Sequence, residues 1–294
     1  MKKFNKVVNM AIQSICYELY LSPKPGLVDK NNSGAHNDMD YFTFIDSASC
    51  LWPYLMEFME YGSYIEDISS KDCLKGLRMI GIEAEKAMFL ETKGINTHKG
   101  AIFSMGIILC VIGYIENNEK QVTKEIISES IKKMCLHICD DFKNLNEIKN
   151  LTHGEKMYVK HHIKGIRGEA ENGYSTIFEN SLKYLEEQFI EHGKLASNKT
   201  KIYINTLLYI ISILDDTNVL YRHNKSTLNQ IKDDAAKALD LGGMFSKEGI
   251  SYVEKLDKRY IEKNISPGGA ADLLAVTIFL EKYLENSNQK MPLY

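Results

Sequence analysis

Arginine is nearly missing from this sequence: Arg78, Arg167, Arg222 and Arg259 stand against 32 lysines. A basic excess is missing too, because 36 basic and 39 acidic residues are interspersed and the net charge is −3. That balance excludes the electrostatic footprint of a nucleic-acid binder. No proline- or serine-rich linker divides the chain, so residues 1–294 read as one domain. The longest apolar run, about 101–115, is short for a membrane span and holds Ser104, Gly106 and Gly113. It reads as a buried core helix. Asn5, Lys6, Asn9, Gln13 and Glu18 interrupt the first twenty residues, which excludes a secretory h-region and points to the cytoplasm. The six cysteines form no CxxC pair. Small buried hydrophobes in a reducing compartment account for them better than zinc at Cys135, His137 and Cys139.

Apolar–polar alternation and hairpin signals are scarce, and helical periodicity is what remains. Phe4, Val7, Val8, Ile12, Ile15 and Leu19 fall on one face of a helix over 4–20. Residues 39–52 form a second such pattern, which Pro53 breaks or kinks. Segments 72–91, 101–115, 123–145, 176–191, 200–214, 226–241, 248–262 and 269–284 also fit. The expectation is an all-α, single globular domain of about ten helices.

Five polar, glycine-bearing segments lie between these helices: 22–40, 93–100, 153–175, 215–224 and 264–272. Binding and catalytic groups concentrate in such connections. In KGINTHKG, Thr97 can cap a helix and Gly100 admits close approach, so Lys99 and free N–H groups would face an anion. The spacing is not that of a P-loop. In NISPGGAAD, Ser266 reads as a cap and Pro267 as the first helical residue. Two glycines in one first turn, Gly268 and Gly269, need a reason: a phosphate or ribose close by, or tight helix packing. Asp272 suits that turn without any function. Asp215 and Asp216 repel unless a cation lies between them, or Asp216 simply caps the next segment. Arg167 and Arg222, set in polar loops of a lysine-rich chain, read as chosen for their planar fork. In LSPKPGLVDKNNSGAHNDMD, Lys24 and Lys30 can meet phosphates, Asp38 reads as a cap, and His36 and Asp40 could meet across one turn.

The strings PKPGLVDKNNSGAHNDMDYFTFIDSA, GINTHKGAIFS, HGEKMY, RGEAENGY, DDTNVLYR and SPGGAADLLA occur in this order. Together they resemble the triphosphoribosyl-dephospho-coenzyme A synthase family, from about Glu18 to about Leu284. One departure is His223–Asn224, where the family pattern would place a glycine pair. The resemblance implies an all-helical fold and a transfer in which ATP and 3′-dephospho-coenzyme A give 2′-(5″-triphosphoribosyl)-3′-dephospho-coenzyme A and adenine. That product is the prosthetic-group precursor for the acyl carrier subunit of citrate lyase or malonate decarboxylase. A carrier-protein transferase downstream and a homo-oligomer are compatible with it; nucleic acid and membrane are not expected partners.

Matched to that reaction, Asp38, Asp40, His36 and Glu169 are the catalytic candidates. Lys24, Lys30, Thr97, His98, Lys99, Gly100, Arg167, Arg222, Ser266, Gly268 and Gly269 are the substrate-binding candidates. Mg²⁺ would accompany ATP, with Asp215, Asp216 and Asp40 as candidate ligands. A magnesium-dependent nucleotide N-glycosidase would use the same inventory, as would a non-catalytic nucleotide or coenzyme-A-precursor binding protein.

Overall fold

The computed structural model describes residues 2–118, 122–147 and 151–288. Among these residues there is no strand, and the class is all-α. The first half runs α1 (Lys2–Tyr20), α2 (Tyr41–Cys50), α3 (Trp52–Ser63), α4 (Lys71–Glu91), α5 (Lys99–Asn117), α6 (Lys124–Cys135) and α7 (His153–His161). The second runs α8 (Gly165–Glu171), α9 (Leu182–His192), α10 (Ala196–Ile213), α11 (Thr217–Arg222), α12 (Lys225–Asp240), α13 (Lys247–Glu262) and α14 (Gly268–Asn288). Short 3₁₀ segments lie at Asp140–Glu147 and Gly243–Phe245, and a π-helical segment at Thr176–Ser181 leads into α9.

Among the described residues, fourteen α-helices replace the expected ten. The additional four are α3, α7, α8 and α11, and each has a physical reason. The pattern over 39–52 is broken as expected, with α2 ending at Cys50, and Pro53 also opens the next helix, in the first turn of α3, where its missing N–H is no loss. The other three are too short, at six to nine residues, to repeat an apolar stripe twice. The expected helix over 123–145 divides because α6 ends at Cys135 and the chain tightens into 3₁₀ turns from Asp140.

Helix α5 is the centre. Ala101, Ile102 and most residues onward to Ile115 are buried, and α3, α14, α4, α6 and α8 surround it. By length and composition it is the one described helix apolar enough to cross a membrane, yet most of it is buried within the fold. Its seam with α3 is backbone against backbone. A Cβ on Gly62 would sit 1.9 Å from the Cys110 carbonyl oxygen, and one on Gly113 would sit 2.1 Å from that of Met59. Dense interiors do not absorb such an intrusion. Gly81 on α4 is different, since its nearest neighbour, Phe58, would lie 3.9 Å from an added Cβ.

These contacts set opposite outcomes for one chemical change. Gly113→Ala should cost about 1–3 kcal/mol through overpacking. Gly81→Ala should be neutral or stabilising by up to about 1 kcal/mol through helix propensity. Thermal melts of both variants check the ordering, and equal melting temperatures would contradict the seam.

Candidate active site

The loop over residues 21–40 is held from within and from behind. Asp29 is buried, and its carboxylate accepts the backbone N–H groups of Lys24 (3.3 Å), Asn31 (2.7 Å) and Asn32 (3.1 Å). Gly26 lies against the Ile265 carbonyl with φ +71°, a position closed to a side chain, and its N–H donates to Asp257 Oδ1 at 3.0 Å. His36 Nε2 meets Ser266 Oγ at 2.9 Å. These bonds tie the loop to the end of α13 and the start of α14.

Three helix N-termini are linked there by carboxylates. Asp216 is buried, and its Oδ1 accepts from Asn218 N (2.8 Å) and Val219 N (3.4 Å), capping α11. Its Oδ2 accepts from Ala270 N at 3.1 Å, in the first turn of α14. One carboxylate therefore satisfies orphan donors of two helices. Cβ atoms on Gly269 and Gly268 would come within 3.0 Å of Asp216 Oδ2 and 3.2 Å of Asn218 Nδ2. Tight packing is thus a sufficient reason for the glycine pair. Asp272 in turn faces the Ala101 N–H at the start of α5. A Cβ on Gly100 would lie 2.0 Å from Asp272 Oδ2, so glycine makes room for that carboxylate.

Protonation follows from burial. Asp272 is held well above the usual carboxylate range, first by burial and then by Glu18 and Asp216; the Ala101 N–H opposes this. Burial also raises Asp216 and Glu18. Lys24 is buried with Glu18, Nζ to Oε1 2.5 Å. His98, the residue before α5, is buried, and burial with the nearby Lys24 charge pushes its imidazole down to about 3. It is neutral at any working pH. Thr97 Oγ1 donates to Ser47 Oγ at 2.7 Å, and Ser47 Oγ lies 2.7 Å from His98 Nδ1. With Thr97 donating to it, Ser47 Oγ has its own hydrogen available for Nδ1, and in that arrangement the ring proton sits on Nε2. That Nε2 is buried with no partner among the described residues.

The expected site residues divide into two sets. Lys24, His36, His98, Gly100, Asp216, Ser266, Gly268 and Gly269 come together around the linked N-termini. Arg222 is exposed and close enough to His36 to lower the imidazole, an effect second to that of burial. Asp38 is exposed and lies 3.8 Å from His36 Nδ1. The others have separate partners. Lys30 lies over the Tyr20 ring at 3.8 Å, Lys99 pairs with Glu85 at 2.8 Å, and Asp215 pairs with Lys232 at 2.6 Å. Arg167 forms a two-pronged contact with Asp141 at 2.8 and 2.9 Å, and Glu169 accepts from Thr176 N and Oγ1.

Local expectations change in four places. Asp40 rather than Asp38 caps α2, through a capping box with Thr43. Accordingly His36 bonds Ser266 and not Asp40. Thr97 does not cap α5, because its hydroxyl is used on Ser47 and His98 takes the position before the helix. Helix α14 starts at Gly268 rather than at Pro267, whose carbonyl accepts from Ala270 N. Glu18, Asp29, Ser47 and Asp272 were not expected in this cluster. Only Asp272 had a local signal, its place behind the glycine pair.

The chain matches the family described as ATP:dephospho-CoA triphosphoribosyl transferase over residues 4–291. The chain belongs to this family. Among its relatives is "Protein CitXG" of Leuconostoc mesenteroides subsp. cremoris, 38% identical over 95% of this chain; the match spans 59% of that longer protein. Two more are each named "Probable 2-(5''-triphosphoribosyl)-3'-dephosphocoenzyme-A synthase". The one from Streptococcus equi subsp. equi is 34% identical, covering 97% of this chain and 98% of its own length. The one from Lactiplantibacillus plantarum is 36% identical, covering 93% and 95%. No solved structure matches the chain. The residues matched to the family include every segment that builds the linked N-termini.

The hydroxyl relay has a spectroscopic consequence. The ¹⁵N spectrum of wild-type His98 should show one unprotonated Nδ1 and one protonated Nε2 from roughly pH 5 to 8, where an ordinary histidine titrates. Ser47→Ala should give a mixture of tautomers. A wild-type mixture would contradict the relay.

Proposed function

We infer that the chain transfers the triphosphoribosyl group of ATP to the ribose 2′-hydroxyl of 3′-dephospho-coenzyme A, releasing adenine. Family membership supports the activity, and one observation supports its place: Glu18, Asp216 and Asp272 form an acidic floor beside the N-termini of α5, α11 and α14. As adenine departs, the sugar carbon becomes cationic, as in glycoside hydrolysis. An ionised carboxylate fixed there favours that charge without reorganising. The same floor repels a triphosphate, so the phosphates belong at the rim. Arg222 is exposed there beside His36, and the half-exposed Lys99 is held only by a surface pair that is easily exchanged.

Magnesium enters with ATP. Asp215, Asp216 and Asp40 each have a different partner, and among the described residues no group of three or more His, Cys, Asp or Glu side chains is arranged to hold a metal. Magnesium commonly relies on substrate phosphates for much of its coordination. The exposed Asp38 carboxylate, beside His36, takes the proton of the attacking hydroxyl. His36 stays neutral near pH 7, because burial and Arg222 outweigh Asp38. The product serves as the prosthetic-group precursor for citrate lyase or malonate decarboxylase. Six free cysteines fit a cytoplasmic setting.

Mass spectrometry of a reaction containing ATP, dephospho-coenzyme A and Mg²⁺ tests this reading. One triphosphoribosyl adduct should form per adenine released, and ATP alone should release little. Adenine release independent of dephospho-coenzyme A would instead indicate an N-glycosidase. Chelation with EDTA should stop turnover yet leave the melting temperature of the free protein unchanged. A large fall in that temperature would reveal a metal held by the protein itself.

A further inference from the structure

We propose that Asp272 is the proton donor to the departing purine, a role that rests on the transferase reading. Its placement is unusual for a carboxylate in the first turns of a helix. It does not serve the N-terminus of its own helix; Asp216 does that. Its oxygens reach across to α5, where it faces the Ala101 N–H and Gly100 leaves the space it fills. Asp272 lies deep in the fold yet keeps part of its surface open, so a ligand can reach it, whereas Asp216 is sealed and fully committed to backbone donors.

A second observation marks the surroundings as built for something more. Ser104 lies one helical turn beyond Gly100 on α5, on the same face. Its hydroxyl and that of Tyr174 are neighbours, both side chains are fully buried, and neither hydroxyl has another partner among the described residues. Tyr174 is held at φ +56°, a backbone region that bulky residues avoid. Asp272 and Glu169 are both near enough to raise its hydroxyl, after the larger effect of burial, so Tyr174 lies between the two sets of site residues. Buried polar groups with hydrogen-bonding capacity left over are costly, and strain of this kind concentrates at working sites.

The charged and titratable groups facing Asp272 are Glu18 from α1, Asp216 from the cap of α11 and Tyr174 from the turn after α8. Lys24 joins this set through its bond to Glu18. Burial and the two carboxylates keep the Asp272 proton in place. A carboxyl group that retains its proton near neutrality can act as a general acid.

The step balances without any further reagent. The Asp272 proton passes to a ring nitrogen of the purine. The bond from the sugar C1 to N9 breaks, and its electron pair stays on the purine, which leaves as neutral adenine. The 2′-oxygen of dephospho-coenzyme A bonds to C1 and releases its proton. Solvent returns one proton to Asp272, so none is gained or lost overall.

The test compares ATP with its N7-methyl analogue, whose cationic base leaves without being protonated. In the wild-type enzyme the rate with ATP should fall as pH rises through the Asp272 titration, because only the protonated acid is active. The rate with the analogue should show no such alkaline fall. Asp272→Asn keeps an oxygen for the Ala101 N–H. It should lower kcat with ATP by about 10²–10⁴-fold, the usual worth of general acid catalysis. KM for ATP should change little, and the loss with the analogue should be under about tenfold. Equal losses with both substrates, or an alkaline fall that persists in Asp272→Asn, would overturn the proposal. If Asp272→Asn does not fold, the two wild-type pH profiles decide, and identical profiles would overturn it. Failure of the wild-type enzyme to form the adduct at all would count against the transferase reading instead.

Discussion

The start of a helix leaves N–H groups without partners, and this fold sets two aspartates against three such starts. Asp216 accepts from α11 and α14 together, and Asp272 carries α14 over to α5. The rest of the site depends on this linkage. It sets the distance between α5 and α14, requires glycine at 100 and 269, and gathers acidic groups in a place where burial keeps some of them protonated. Ser266, at the same junction, receives His36 and so fixes the far end of the loop over 21–40.

That loop shows how a polar, glycine-bearing connector becomes a wall. Asp29 supplies what a turn of helix would otherwise supply, an acceptor for three backbone donors. Asp257 does the same from outside for Gly26. Lys24 is drawn inward by Glu18, so the cation nearest the chemistry is already neutralised. The cations left over stand at the edge, which separates the place where charge is bound from the place where charge develops.

The long helices were legible because an apolar stripe repeated over four or five turns has no other explanation. The helices α7, α8 and α11 were not, since one or two turns carry no repeat, and Pro53 has the same letter whether it ends a helix or begins one. In the site, the glycine pair at 268 and 269 was legible as a close approach, though not what approached. Ser47 and Glu18 were not legible at all: each sits in an ordinary helical stripe, and its partner lies in another segment of the chain. Asp272 was visible but had a sufficient local explanation as a helix-start carboxylate. Sequence spacing shows which residues share an element. It does not show which element another helix will lean against.

Asp40 has a consequence beyond its own helix. It stands in solvent at the beginning of α2, and Ser47 rides on that helix two turns further in. Ser47 is the partner of His98 Nδ1 and of Thr97 Oγ1. The exposed cap and the buried hydroxyl therefore belong to one rigid element: what fixes the start of α2 at the surface also fixes the height at which Ser47 meets the ring inside.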